Sequence, residues 1–123
     1  MKRDMDLVRA ILQKVASCDS PDGLQEEIQI NGYAEKEIFY HIKILHEAGL
    51  LDAIDVSEGG EDGFCWWPGN LTWNGQDFID LAKDSVWSKA KESILKPGVS
   101  FTFDLLFSYL KQKAAEKLGL SVG

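Results

Sequence analysis

This chain of 123 residues lacks metal-site spacing and a membrane-length apolar run, and no secretion signal is expected of it. Cysteine occurs only at Cys18 and Cys65, and histidine only at His41 and His46. There is no Cys-x-x-Cys and no His-x-x-x-His. His41 and His46 stand five apart, about 140° around a helix axis, so they do not share a face. These absences exclude the usual zinc patterns, and the expected metal and cofactor content is none. The two isolated thiols read as buried or half-buried side chains in a reducing cytoplasm. No apolar stretch is long enough to cross a bilayer, so no membrane partner is expected. Lys2 and Arg3 imitate the start of a signal peptide, but Asp4, Asp6 and Arg9 interrupt any apolar region behind them. The expected location is cytoplasmic.

Catalytic spacing is equally scarce. Cys65 and His41 could be imagined as a nucleophilic dyad. Trp66 and Trp67 beside the cysteine, however, point to a packed strand with an inert thiol, and no oxyanion loop accompanies it. Gly59, Gly60 and Gly63 share their loop with Glu58, Glu61 and Asp62 and with no lysine, so the loop repels phosphate. The chain reads as a non-enzyme with no catalytic residues.

What the chain does have is a core. Hydrophobic residues make up 45% and charged residues 27%, including four Trp, six Phe and three Tyr. That mix folds as a single structural unit. Charge is uneven along it. Residues 1–49 carry six Lys/Arg and nine Asp/Glu, residues 50–84 one against eight, and residues 85–123 six against three. An acidic middle is therefore followed by a mildly basic tail.

Hydrophobic periodicity divides the chain into elements. Asp4 to Ser17 predicts a helix with Met5, Val8, Ile11, Leu12 and Val15 inward and Asp4 as its cap. Residues 24–31 alternate Ile28 and Ile30 with Glu27 and Gln29, which favours a short strand over a short helix. Ala34 to Ala48 predicts the main helix, with Ile38, Phe39, Ile42, Leu45 and Ala48 inward and Gly49 closing it. Leu50–Val56 and Phe64–Trp67 read as a hairpin with a flexible acidic tip, and residues 68–70 as an interruption or bulge. Thr72 caps the next helix, residues 85–95 continue it, and Pro97-Gly98 breaks the chain. The last helix runs from about Thr102 to Leu118. Trp66, Trp67, Trp73 and Trp87 read as core, with one of Trp66 and Trp67 facing outward.

The order helix, short strand, helix, hairpin, helix predicts an α+β domain of winged-helix type. Residues 1–84 would form the winged-helix-like part, and 85–123 a helical extension packed on it. The run Tyr40-His41-Ile42-Lys43-Ile44-Leu45-His46-Glu47-Ala48-Gly49-Leu50-Leu51 resembles the recognition helix and first wing strand of ArsR-type regulators. Leu71-Thr72-x-x-Gly75 is a second feature similar to that superfamily. Over nearly its whole length the chain resembles domain-of-unknown-function family 2513, an uncharacterised prokaryotic and prophage-associated group. The matching features are Met1-Lys2-Arg3-Asp4-Met5-Asp6-Leu7, Gly32-Tyr33, Tyr40-His41, Ala48-Gly49-Leu50, Leu71-Thr72-Trp73-x-Gly75 and Val86-Trp87. That resemblance implies a winged-helix-like fold and brings no activity.

In such regulators the start of the recognition helix and the wing approach DNA. Here those places hold Glu35, Lys36 and Glu37, and Glu58, Glu61 and Asp62. Carboxylates approach phosphates at a Coulombic cost. The functional reading is therefore a non-catalytic regulatory or protein-interaction module. Its candidate surface is Lys36, Glu37, Tyr40, Lys43, Ile44 and Glu47 on the main helix, with Glu58, Glu61 and Asp62 on the hairpin. The alternative is a DNA-binding transcriptional regulator that contacts DNA through Lys36, Tyr40 and Lys43. The last helix carries Phe101, Leu105 and Tyr109 beyond its Phe103, Leu106, Phe107 and Leu110 stripe, which predicts a homodimer through that helix.

Overall fold

A computed structural model describes residues 1–119. Among them are five α-helices and one two-stranded antiparallel sheet, a mixed α+β architecture. The backbone separates into two compact units, Met1–Gln76 and a second that begins at Asp77.

The first unit is built on α1 (Met5–Ala16), α2 (Glu35–Glu47) and a hairpin of β1 (Leu51–Asp55) and β2 (Trp66–Leu71). α1 begins as expected: the Asp4 carboxylate accepts the Leu7 amide at 3.1 Å, meeting one of the four amides a helix start leaves unpaired. Its buried face is Leu7, Val8, Ile11, Leu12 and Val15. α2 turns Ile38, Phe39, His41, Ile42 and Leu45 inward. It packs on α1 and on both strands, and α1 also touches β2. Gly49 ends α2 with φ +77°, the left-handed conformation that favours glycine. The next two residues, Leu50 and Leu51, go straight into the core. Ala48, expected inward, is exposed because the helix has already ended at Glu47.

Two expectations are corrected in this unit. Residues 24–31 form neither strand nor helix. Their alternation is a burial pattern, with Ile28 in the core and Glu27 and Gln29 outside. Two backbone bonds tie the segment to the sheet, Leu24 N–H to Gly69 O at 3.3 Å and Gln25 N–H to Pro68 O at 2.9 Å. Gln25 has φ +48°, which breaks the extended run before a ladder can form. The second correction is β2, which continues through Pro68 to Leu71. Leu51 pairs with Leu71 but Ala53 with Pro68, so β2 holds one extra residue: the bulge expected at residues 68–70 is there, and the pairing runs on through it. Each strand of a two-stranded ribbon is an edge, so Pro68 is tolerated there despite having no N–H to give.

The second unit holds α4 (Asp84–Glu92) and α5 (Phe103–Lys117), which pack together. α3 (Trp73–Leu81) contributes Phe78, whose ring meets Trp87, Phe103 and Phe107 at centroid distances of 6.1, 5.5 and 6.2 Å. Thr72 caps α3 and Thr102 caps α5, each hydroxyl accepting an amide three residues on at 3.2 Å. On α5, Leu106 and Leu110 are fully buried, while Leu105 is 55% exposed and Leu118 is also exposed. Among the described residues no helix is long and apolar enough to cross a membrane.

Candidate interaction surface

The sequence-predicted surface residues fall on the outer edge of α2 and on the hairpin. Lys36 and Glu47 are exposed; Glu37, Tyr40, Lys43 and Ile44 are half-buried. Two of the lysines are held by carboxylates. Lys36 Nζ lies 3.7 Å from Asp62 Oδ1, which joins the start of α2 to the hairpin tip. Lys43 Nζ lies 2.8 Å from Glu47 Oε1, one turn along the helix. That bond to Glu47 raises the Lys43 pKa, with Tyr40 and Asp55 as smaller contributors. Glu37 does local work, its Oε1 accepting the Ala34 amide at 3.3 Å ahead of the helix. Glu58 is exposed, and the side chain of Glu61 lies outside the described part of the structure.

The tip, expected to be flexible, is tied by its own backbone. Val56 N–H reaches Cys65 O at 3.0 Å, and Glu58 N–H reaches Gly63 O at 2.8 Å. Ser57 Oγ accepts the Cys65 amide at 2.9 Å. A 3-10 turn over Glu61–Gly63 closes the loop. Gly63 has no room for a Cβ, which would collide with the Glu58 carbonyl. Asp55, at the base of the tip, accepts the Ser57 amide at 2.9 Å. Its bonds to Ser57 hold its carboxyl below the ordinary value, with Lys43 a smaller cause.

The soft side chains are occupied otherwise. Both thiols are free and half-buried, and burial, followed by Glu27, pushes the Cys65 pKa up. His41 is 1% exposed. Its Nε2 faces the Asp4 amide at 2.8 Å and its Nδ1 faces the Glu37 carbonyl at 2.7 Å. An N–H partner needs an acceptor and a carbonyl needs a donor, so the proton sits on Nδ1. The ring bridges α2 to the start of α1, and neither nitrogen is left to serve as a base or ligand. His46 Nδ1 lies 3.2 Å from Leu51 O, and its ring tilts against Trp66 at 5.9 Å. Among the described residues no three His, Cys, Asp or Glu side chains are grouped to hold a metal ion.

Two networks were not foreseen. In the first, Asp4 caps α1 and gives its amide to His41, and after burial it is the largest cause of the raised Tyr33 pKa. The second joins the end of α2 to the start of α3. Thr72 N–H donates to Leu50 O at 3.1 Å, the Thr72 hydroxyl donates to Gly49 O, and a Cβ on Gly75 would strike the Leu50 carbonyl. Trp73, expected in the core, stands on this junction 84% exposed. A helical wheel would have found it. At 100° per residue Trp73 lies roughly 170° from the buried stripe of Gly75, Phe78, Ile79 and Ala82.

The networks use Asp4, Tyr33, His41, Gly49, Leu50, Thr72 and Gly75, and every one of these lies in a stretch that aligns with known proteins. A family described as hypothetical protein (DUF2513) matches residues 2–100. An uncharacterised protein of Haemophilus influenzae is 33% identical over 107 residues, covering 86% of this chain and 89% of that protein. No solved structure matches significantly. With its first two helices, its hairpin and both networks inside the matched span, the chain belongs to the DUF2513 family.

Proposed function

We propose that this protein is a non-catalytic interaction module on a winged-helix scaffold, with the outer edge of α2 and the hairpin tip as its partner-facing surface. The order α1, α2, hairpin and the ArsR-like run from Tyr40 to Leu51 support the scaffold. α2 takes the place of the recognition helix and the hairpin that of the wing. The observation that carries the functional reading is the pairing of Lys36 with Asp62 and of Lys43 with Glu47. These are the lysines a regulator would offer to phosphates. Non-specific DNA binding is driven by counterion release, which grows with the number of phosphates neutralised. A lysine already beside a carboxylate brings little net charge to that exchange, and Glu58 adds repulsion. A protein surface with its own mixed charges suits this arrangement better, because paired groups can re-pair across an interface and fix its register.

Fluorescence anisotropy with a labelled random duplex over a salt series tests the reading. The expected result is no binding at low micromolar protein, even at low ionic strength, where repulsion is least screened. Binding that weakens steeply with salt would overturn the module in favour of a regulator. A variant with Glu58→Lys and Asp62→Lys removes tip repulsion and releases Lys36. If it binds DNA where the native chain does not, the native charges are what keep DNA away.

A further inference from the structure

Trp73 is 84% exposed, whereas Trp87 is 4% exposed and Trp66 and Trp67 are half-buried. An indole so open leaves a large apolar face in water. The backbone beneath it is fixed. Thr72 is bonded to Leu50 and Gly49, and the Gly75 amide returns to the Thr72 hydroxyl at 3.2 Å. A partner meeting Trp73 therefore finds a platform already ordered by folding.

The unit that carries it is acidic. The unit Met1–Gln76 holds six Lys/Arg against fourteen Asp/Glu. Lys36 and Lys43 are already beside carboxylates. Arg3 and Arg9 have partners as well. Asp52 is exposed and follows Leu51, which pairs with Leu71 just before the Trp73 turn. An anionic surface carrying a bare indole attracts cations twice, through its net field and through the negative face of the ring.

We propose that Trp73 anchors a docking site for a basic segment of a partner protein, one whose arginine or lysine lies over the indole while its other cations meet the acidic surface of this unit. The anchor itself, Trp73, lies on neither α2 nor the hairpin tip, so its loss is scored apart from that surface.

The test uses the full chain and Trp73→Ala, with labelled hexa-arginine and hexa-serine peptides as probes. Anisotropy is read at low and high salt, and light scattering and urea midpoints are taken for both proteins. Hexa-arginine is expected to bind the native chain, more weakly as salt rises, and about tenfold more weakly to Trp73→Ala, as for one partly desolvated cation–π anchor. Hexa-serine should not bind, and mass and midpoint should be unchanged by the substitution. Equal hexa-arginine binding to both proteins would mean that charge alone acts and would overturn the proposal. So would failure of the native chain to bind it, or equal binding of hexa-serine. A lower mass for Trp73→Ala would show that a second copy covers the indole, and a lower midpoint that Trp73 is a packing residue. Either outcome also overturns it.

Discussion

Replacing Gly75 with alanine sets two effects of opposite sign against each other. On helix propensity alone the change should help, because alanine is better than glycine inside a helix by about 1 kcal/mol. The structure opposes it. A Cβ on Gly75 would strike the Leu50 carbonyl, which is backbone and held in place by its bond from the Thr72 amide. Forcing extra volume into such a contact costs about 1–3 kcal/mol. Moving α3 away to relieve it weakens both the Thr72 to Leu50 bond and the Thr72 cap on Gly75, each worth about 1 kcal/mol. The net expectation is destabilisation by roughly 2–3 kcal/mol, a fall in Tm of roughly 10 °C for a domain of this size. Gly59→Ala is the control. Nothing lies within 4 Å of its Cβ position and its φ is not positive, so it should be neutral or slightly stabilising. Urea unfolding followed by circular dichroism compares the three proteins. A Gly75→Ala midpoint at or above that of the native chain would refute the junction as described.

Four other expectations follow from the same contacts. His41→Ala should lower stability by about 3 kcal/mol, since it opens a buried cavity and orphans the Asp4 amide, whose hydrogen exchange should speed up. Burial first, then Asp4 through its charge and hydrogen bond, raises the Tyr33 pKa. The folded state thus holds the phenol proton longer than the unfolded chain, and that stability is present below the ordinary tyrosine value of about 10 and lost as pH rises through the folded value. Asp4→Asn should bring the Tyr33 phenolate absorbance in at lower pH than in the native chain, and an unchanged curve would break the Asp4–Tyr33 link. Light scattering should report a dimer for the native chain and a monomer for Leu105→Lys, because Leu105 is the open apolar residue of α5; a native monomer at high micromolar concentration would remove the dimer. Asp62→Ala should leave the urea midpoint nearly unmoved, as loss of an exposed ion pair does, and a clear fall would mean that the tip supports the fold.

Much of this fold can be read from local sequence, and the reasons differ by element. α1, α2 and their ends were legible because each signal acts within one or two turns: the stripe of Val8, Ile11, Leu12 and Val15, the Asp4 cap, and the glycine after Ala48. Residues 24–31 were misread because alternation reports which side chains are buried and says nothing of whether an edge is there to pair with. β2 was cut short at Trp67 because the edge or bulge expected at residues 68–70 was taken to end the pairing, whereas the ribbon pairs on past it to Leu71. That Lys36, Glu47, Glu58 and Asp62 stand exposed was legible, while the pairing of the lysines was not. Lys36 and Asp62 are 26 positions apart, and only the turn of the hairpin brings them to 3.7 Å.

The two unforeseen networks change what the family resemblance means. Taken one at a time, Asp4, Tyr33 and His41 suggest chemistry, since they are a carboxylate, a phenol and an imidazole within reach of each other. Their partners say otherwise. The Asp4 carboxylate serves the Leu7 amide and helps raise the Tyr33 pKa, and both His41 nitrogens serve main-chain groups. Gly49, Leu50, Thr72 and Gly75 likewise join one stretch of backbone to another. A signature built of such residues specifies where α1, α2, the hairpin and α3 begin and end. It specifies a scaffold, and function is carried by what the scaffold displays. Of the residues displayed, Lys36, Glu58 and Asp62 belong to none of the motifs named above, and Trp73 is the large apolar motif side chain that folding leaves most open. Under the proposed reading, the search for a partner starts at Trp73 and at the α2–hairpin edge. The polar cluster at Asp4, whose groups already have partners, is the wrong place to begin.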